Sequence, residues 1–156
     1  MSEEKYKPVD FMALYQRYGG LGLGPQAELK RVMNPDDLAV IPAFYRVLQD
    51  NKSYEKMRRL MFCLPHIKHV DGGDSLGKAL AKAEINEKRL FMVIRSQEPN
   101  DLIQLRRLLK QAKQPAVDWL QMANALWWWD HPNQQSKRQL LEDFFFYQNT
   151  KPQAST

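Results

Sequence analysis

Seven cations crowd residues 86–113: Lys88, Arg89, Arg95, Arg106, Arg107, Lys110 and Lys113 stand there against only three acids. Lys88 and Arg95 are seven residues apart, so on a helix they lie almost above one another, opposite an apolar side made of Leu90, Phe91, Val93 and Ile94. Arg89 flanks that apolar stripe. In the next segment Arg106, Lys110 and Lys113 follow i, i+4, i+7 spacing with Arg107 beside them. Leu102, Leu105, Leu108, Leu109 and Ala112 form a separate apolar face. Two such ridges do electrostatic chemistry. Long cations at intervals neutralise the phosphates of a nucleic-acid backbone without reading its bases, and arginine adds a planar fork that can hold a phosphate through two hydrogen bonds. A solvated helix face, or a surface for acidic protein partners, has the same spacing.

A second constellation is Cys63, His66, His69 and Asp71, which nominally supplies four zinc ligands. Cys63 sits in the apolar run LMFCL, where a thiol packs as a small hydrophobe, and Pro65 breaks the helix between the candidates. A polar loop is the preferred reading, and no metal is expected. GGLGLG follows a helix rather than a strand, so it reads as a helix terminator and not as a phosphate loop. No nucleophile signature or paired carboxylates stand out. Neither a catalytic residue nor a cofactor is expected. Trp127, Trp128 and Trp129 span about 200° of a helical wheel, so all three cannot face one core. At least one is expected at an interface, with base stacking as the alternative.

The elements that position these residues are all helical. Over 156 residues, 44% are apolar and 26% charged, as in an ordinary globular protein. No apolar run approaches the ~20 residues that a bilayer-spanning helix needs, so no membrane partner is expected. The N-terminus MSEEKYKPVD has no signal-peptide core, and a lone Cys63 fits a reducing compartment, which implies a cytoplasmic protein. Helices are expected from Asp10 to Tyr18, Pro25 to Met33, after the Asn34-Pro35 start, Pro42 to Leu48, and after Ser53 as far as Pro65. Residues 65–74 read as a loop. Ser75 opens a helix to Ala83 and Asn86 caps the next. Then come LIQLRRLLKQAK, Pro115 to Trp129, and Ser136 to Tyr147, with a frayed tail from Gln148. This is an all-α fold of eight or nine helices in two small packed bundles, 1–97 and 98–156, divided at Gln97–Asn100.

LKRVMNPDDLAVIPAFYRVLQ (29–49), MRRLMFCL (57–64), SLGKALAKAEINEKRLFMVIRS (75–96), DLIQLRRLLKQA (101–112) and RQLLEDFFFY (138–147) together resemble the CasB family. Its members are small subunits of the type I-E CRISPR surveillance complex Cascade, and the likeness covers nearly the whole chain in order. It implies a non-catalytic helical protein present as two copies beside the backbone and large subunits. Such a protein binds guide RNA, target DNA and the displaced strand of the R-loop without sequence preference. It assigns nucleic-acid contact to Arg31, Lys52, Lys88, Arg89, Arg95, Arg106 and Arg107. Lys110 joins them by spacing, and Lys137 and Arg138 stand where the family is basic after the tryptophans. The loop PHIKHVDGGD is short for the family, with Lys68 its only Lys or Arg. The alternative reading is a scaffold whose basic faces dock on other subunits.

Overall fold

Local capping chemistry starts most of the helices. The computed structural model describes residues 9–150. Asp10 accepts from the Ala13 N–H (3.0 Å) and opens α1 (Phe11–Gly19). Asn34 accepts from Asp36 N–H (3.0 Å), with Pro35 in the first position, and begins a 3-10 helix (Pro35–Val40). Pro42 opens α3 (Pro42–Leu48). Ser75 caps α5 (Leu76–Lys82) and Asn86 caps α6 (Glu87–Arg95) through the Lys88 N–H at 2.7 Å. The remaining helices are α2 (Leu23–Arg31), α4 (Tyr54–Cys63), α7 (Asn100–Gln111), α8 (Trp119–Trp127) and α9 (Gln135–Thr150). The protein is all-α apart from one small pairing, with nine α-helices among the described residues.

Four local expectations are corrected. Residues 65–74 are not all loop: a 3-10 turn (Leu64–His66) leads into β1 (Lys68–His69), which pairs in parallel with β2 (Ala116–Val117). Pro115 therefore begins an extended segment, and α8 starts only where the Asp118 carboxylate accepts from Leu120 and Gln121. Ahead of α2, Pro25 is not the first residue. It lies within the first turn, where a missing N–H costs nothing. Ser53 makes no side-chain cap for α4; Asn51 Oδ1 instead accepts the Ser53 N–H at 2.9 Å. Helix α9 runs on to Thr150, and the rest of the expected frayed tail, like residues 1–8, lies outside the described residues.

Buried apolar residues from both sides of residue 97 join in one cluster. One apolar cluster runs from Leu14 and Phe44 through Leu60 and Leu90 to Leu105, Trp119 and Phe144. Helices α6 and α7 pack on each other, α4 lies against α7 and α8, and α5 packs along α9. The α5–α9 crossing depends on Gly77. A Cβ there would stand 2.4 Å from the Leu140 carbonyl oxygen and 2.8 Å from Asp143 Cβ, closer than atoms tolerate. Gly77→Ala must push the two helices apart, and thermal or urea unfolding is expected to show a loss of about 1–3 kcal/mol.

Candidate nucleic-acid interface

Burial of Leu90 and Val93 on α6, and of Leu102, Leu105, Leu108 and Leu109 on α7, turns every cation of the two helices except Arg106 outward. The two exposed arcs meet where Arg89 Nη1 donates to Gln111 Oε1 at 2.9 Å. Gln111 follows Arg107 by one helical turn, so Arg107 stands next along α7, and Lys110 lies on the far edge of the same exposed arc. That edge faces the 3-10 turn Leu64–His66, which packs against both α2 and α7. The His66 ring there feels Arg106, Lys110 and Lys30 together. The row of exposed cations comprises Lys88, Arg89 and Arg95 on α6, Arg107 and Lys110 on α7, and Lys30 and Arg31 at the end of α2. Among the described residues, the ion pairs engage Arg58, Arg59, His69, Lys78, Lys82 and Lys137, and none of the cations in this row. Arg95 lies instead over the Phe91 ring, 5.3 Å from its centre.

Arg31, Lys52, Lys88, Arg89, Arg95, Arg107, Lys110 and Arg138 are exposed, as a binding surface requires. Arg106 and Lys137 are not, and both leave the set of surface contacts. Arg106 Nη1 donates to the Val32 carbonyl, and its guanidinium lies 4.2 Å from the Phe62 ring centre. Burial lowers the Arg106 pKa, yet an arginine keeps its proton at any working pH. Lys137 Nζ sits 3.1 Å from Asp101 Oδ2 and 3.0 Å from the Ser96 carbonyl, above Trp129. Asp101 also accepts from Trp129 Nε1 at 2.9 Å. Lys52, in the α3–α4 connection, and Arg138, on α9, belong to other elements than the row.

Two basic residues escaped the sequence reading. Lys30 joins the row, and the adjacent Lys-Arg pair closing α2 was the available signal. Arg59, 2% exposed, makes 2.7 Å ion pairs with Glu98 and Asp130 and donates to the Leu126 and Trp127 carbonyls. Nothing in its local sequence separates it from its exposed neighbour Glu55 or half-buried Arg58. Trp119, Trp127 and Trp129 are buried, while Trp128 stays 46% exposed with the Lys56 ammonium 4.8 Å from its ring; α8 ends at Trp127, so the turn after it, and not a helical wheel, sets Trp128 and Trp129 apart. Of the residues weighed for zinc, Cys63, His69 and Asp71 are engaged elsewhere. Cys63 is buried and its thiol is pushed up to about 12 by desolvation. His69 uses both ring nitrogens, on Asp71 (2.6 Å) and the Trp119 N–H (3.0 Å).

Fold and surface define an all-α protein whose outward chemistry is cationic and spread across three elements. The chain belongs to a CRISPR-associated family: the model described as CRISPR-associated protein Cse2 matches residues 26–145. It is 41% identical over 157 residues to the CRISPR system Cascade subunit CasB of Escherichia coli strain K12, covering 90% of this chain and 96% of that protein. It is also similar to a chain in the crystal structure of E. coli Cascade bound to a PAM-containing dsDNA target. That likeness has a TM-score of 0.84 and 42% identity, over 93% of this chain and all of the other. No described helix is long and apolar enough to cross a membrane.

Two outcomes follow from this electrostatic layout. Asp101→Ala leaves the Lys137 ammonium buried and unpaired, so urea unfolding should show a loss of about 3–5 kcal/mol, against no more than about 0.5 kcal/mol for Arg107→Gln on the surface. The His66 ring has its pKa lowered from 6.5 to about 4, by burial first and then by Arg106, Lys110 and Lys30. The unfolded chain binds the proton more readily, so this residue's contribution is intact above pH 6.5. It is lost as pH falls from 6.5 towards 4. Urea midpoints should drop more steeply over that window in the native protein than in His66→Gln.

Proposed function

We propose that this chain is a small, non-catalytic subunit of a Cascade-type CRISPR surveillance complex, and that it grips nucleic-acid backbone along the row formed by α6, α7 and α2. The observation that carries this reading is that row: Lys88, Arg95, Arg89, Arg107, Lys110, Lys30 and Arg31 are exposed on adjoining elements, with no carboxylate among the described ion pairs. Family membership and the relatives' place in Cascade support it, one of them in a complex with double-stranded DNA. The partners are guide RNA, target DNA, a second copy of the chain, and the backbone and large subunits of the complex. The setting is cytoplasmic.

Exchange of a DNA duplex for a guide–target duplex is close to balanced in free energy. A modest protein contribution therefore decides whether the opened state persists. Each phosphate neutralised by the row releases condensed counterions, a gain that is independent of sequence and strongest at low salt. Variable targets need a grip of this kind. Arg89, Arg95 and Arg107 act as clamps, Lys88 and Lys110 as flanking point charges, and Arg31 extends the track onto α2. No step here forms or breaks a covalent bond.

The second reading, a scaffold docking on other subunits without nucleic-acid contact, draws on exposed Trp128 and Phe146. Binding of the isolated protein to unrelated single- and double-stranded DNA separates the two. In the Arg89→Gln, Arg107→Gln, Lys110→Gln triple variant, helicity should be unchanged and R-loop lifetime shorter. The log–log salt slope on duplex DNA should fall by about 0.9 for each phosphate contact removed. An unchanged slope would exclude the row as the contact surface.

A further inference from the structure

His66 is 8% exposed, and its Nε2 is buried with no hydrogen-bond partner. A buried polar nitrogen without a partner is costly, so one left unmatched beside a binding surface invites a ligand. Its surroundings are cationic on two sides. Lys30 approaches from α2, and Lys110 and Arg106 from α7. The Cys63 thiol at the end of α4 also lies within the field of Arg106, and burial keeps it neutral. Like charges converging on a buried donor repel any metal ion and favour an oxyanion.

The frame that holds them is fixed. Arg106 donates to the Val32 carbonyl and so fastens the exit of α2 onto α7. Gln114 Nε2 donates to the Pro65 carbonyl at 3.3 Å, and Lys68 N–H to the Pro115 carbonyl at 3.0 Å, which hold the 3-10 turn against the end of α7. Lys30 and Lys110 are exposed and flexible in length, whereas His66 and Arg106 behind them are buried. We propose that His66 Nε2, Lys30 and Lys110, backed by Arg106, form a socket for one phosphate group. The oxyanion would accept from the ring N–H, directly or through one water, and from the two ammonium groups. The group is the phosphodiester of a bound strand or free inorganic phosphate; the first rests on the function proposed above. Arrival of the anion reverses the local field, so the His66 ring gains affinity for a proton as the socket fills.

The test follows the His66 ring by NMR in the full-length protein, its signal assigned by its loss in His66→Gln; only three histidines are present. A ten-residue thymidine oligonucleotide and inorganic phosphate are the two probes, and fluorescence anisotropy reports oligonucleotide binding independently. Expected is a His66 shift that saturates with the oligonucleotide, with the ring's titration midpoint rising from about 4 by about one pH unit or more. Lys30→Gln with Lys110→Gln, both at exposed positions, should weaken the shift several-fold. If inorganic phosphate alone moves the ring while the oligonucleotide binds nowhere, the socket stands as a free-phosphate site and the strand-holding function falls. If the oligonucleotide binds by anisotropy and neither probe moves His66, the socket is excluded and the function stands.

Discussion

The buried carboxylate of Asp101 sets the rotation of α7, and the cationic surface depends on that rotation. Arg106 and Arg107 are chemical twins next to each other. Which of them faces water is decided only by how the helix is turned, at about 100° per residue. Asp101 takes the Leu102 N–H, the Trp129 indole and the Lys137 ammonium, and so ties the start of α7 to α9 and to the segment after α8. With that end fixed, Arg106 falls under Phe62 and against Val32, and Arg107 falls outside. Removing two charges from water is costly, and an apolar trio of the same volume could be as stable. What the ion pair supplies here is a single rotational setting.

Arg59 does the same for the neighbouring connection. Its guanidinium joins α4 to Glu98, to Asp130 and to the last carbonyls of α8. The Gln97–Asn100 connection is thus pinned from both sides, by Arg59 at Glu98 and by Lys137 at Asp101. The position that reads as a linker in sequence is thus held by ion pairs at two neighbouring points. Burial raises the Glu98 pKa, and Arg59 opposes the rise.

Helix starts were legible because capping is local: Asp10, Asn34, Ser75 and Asn86 each bond an N–H two or three residues ahead. The apolar stripes of α6 and α7 were legible for a similar reason, since amphipathic spacing records which side is buried. The β1–β2 pairing was not, because two-residue strands carry no alternation and their partner lies far along the chain. Arg106 and Lys137 were placed on the surface because residue type favours water, and only long-range partners, Val32 and Asp101, reverse that preference. Lys30 was passed over beside Arg31, although the pair shares one helix end. One exposed tryptophan in three was expected from a helical wheel, but α8 ends at Trp127 and the turn after it decides which one faces out.

The bond from Arg106 to the Val32 carbonyl joins segments that are distant in sequence and holds the exit of α2 against α7. An incompletely folded copy carries the same total charge with no aligned track. On the function proposed above, binding across these helices therefore reports the folded arrangement and not net charge alone.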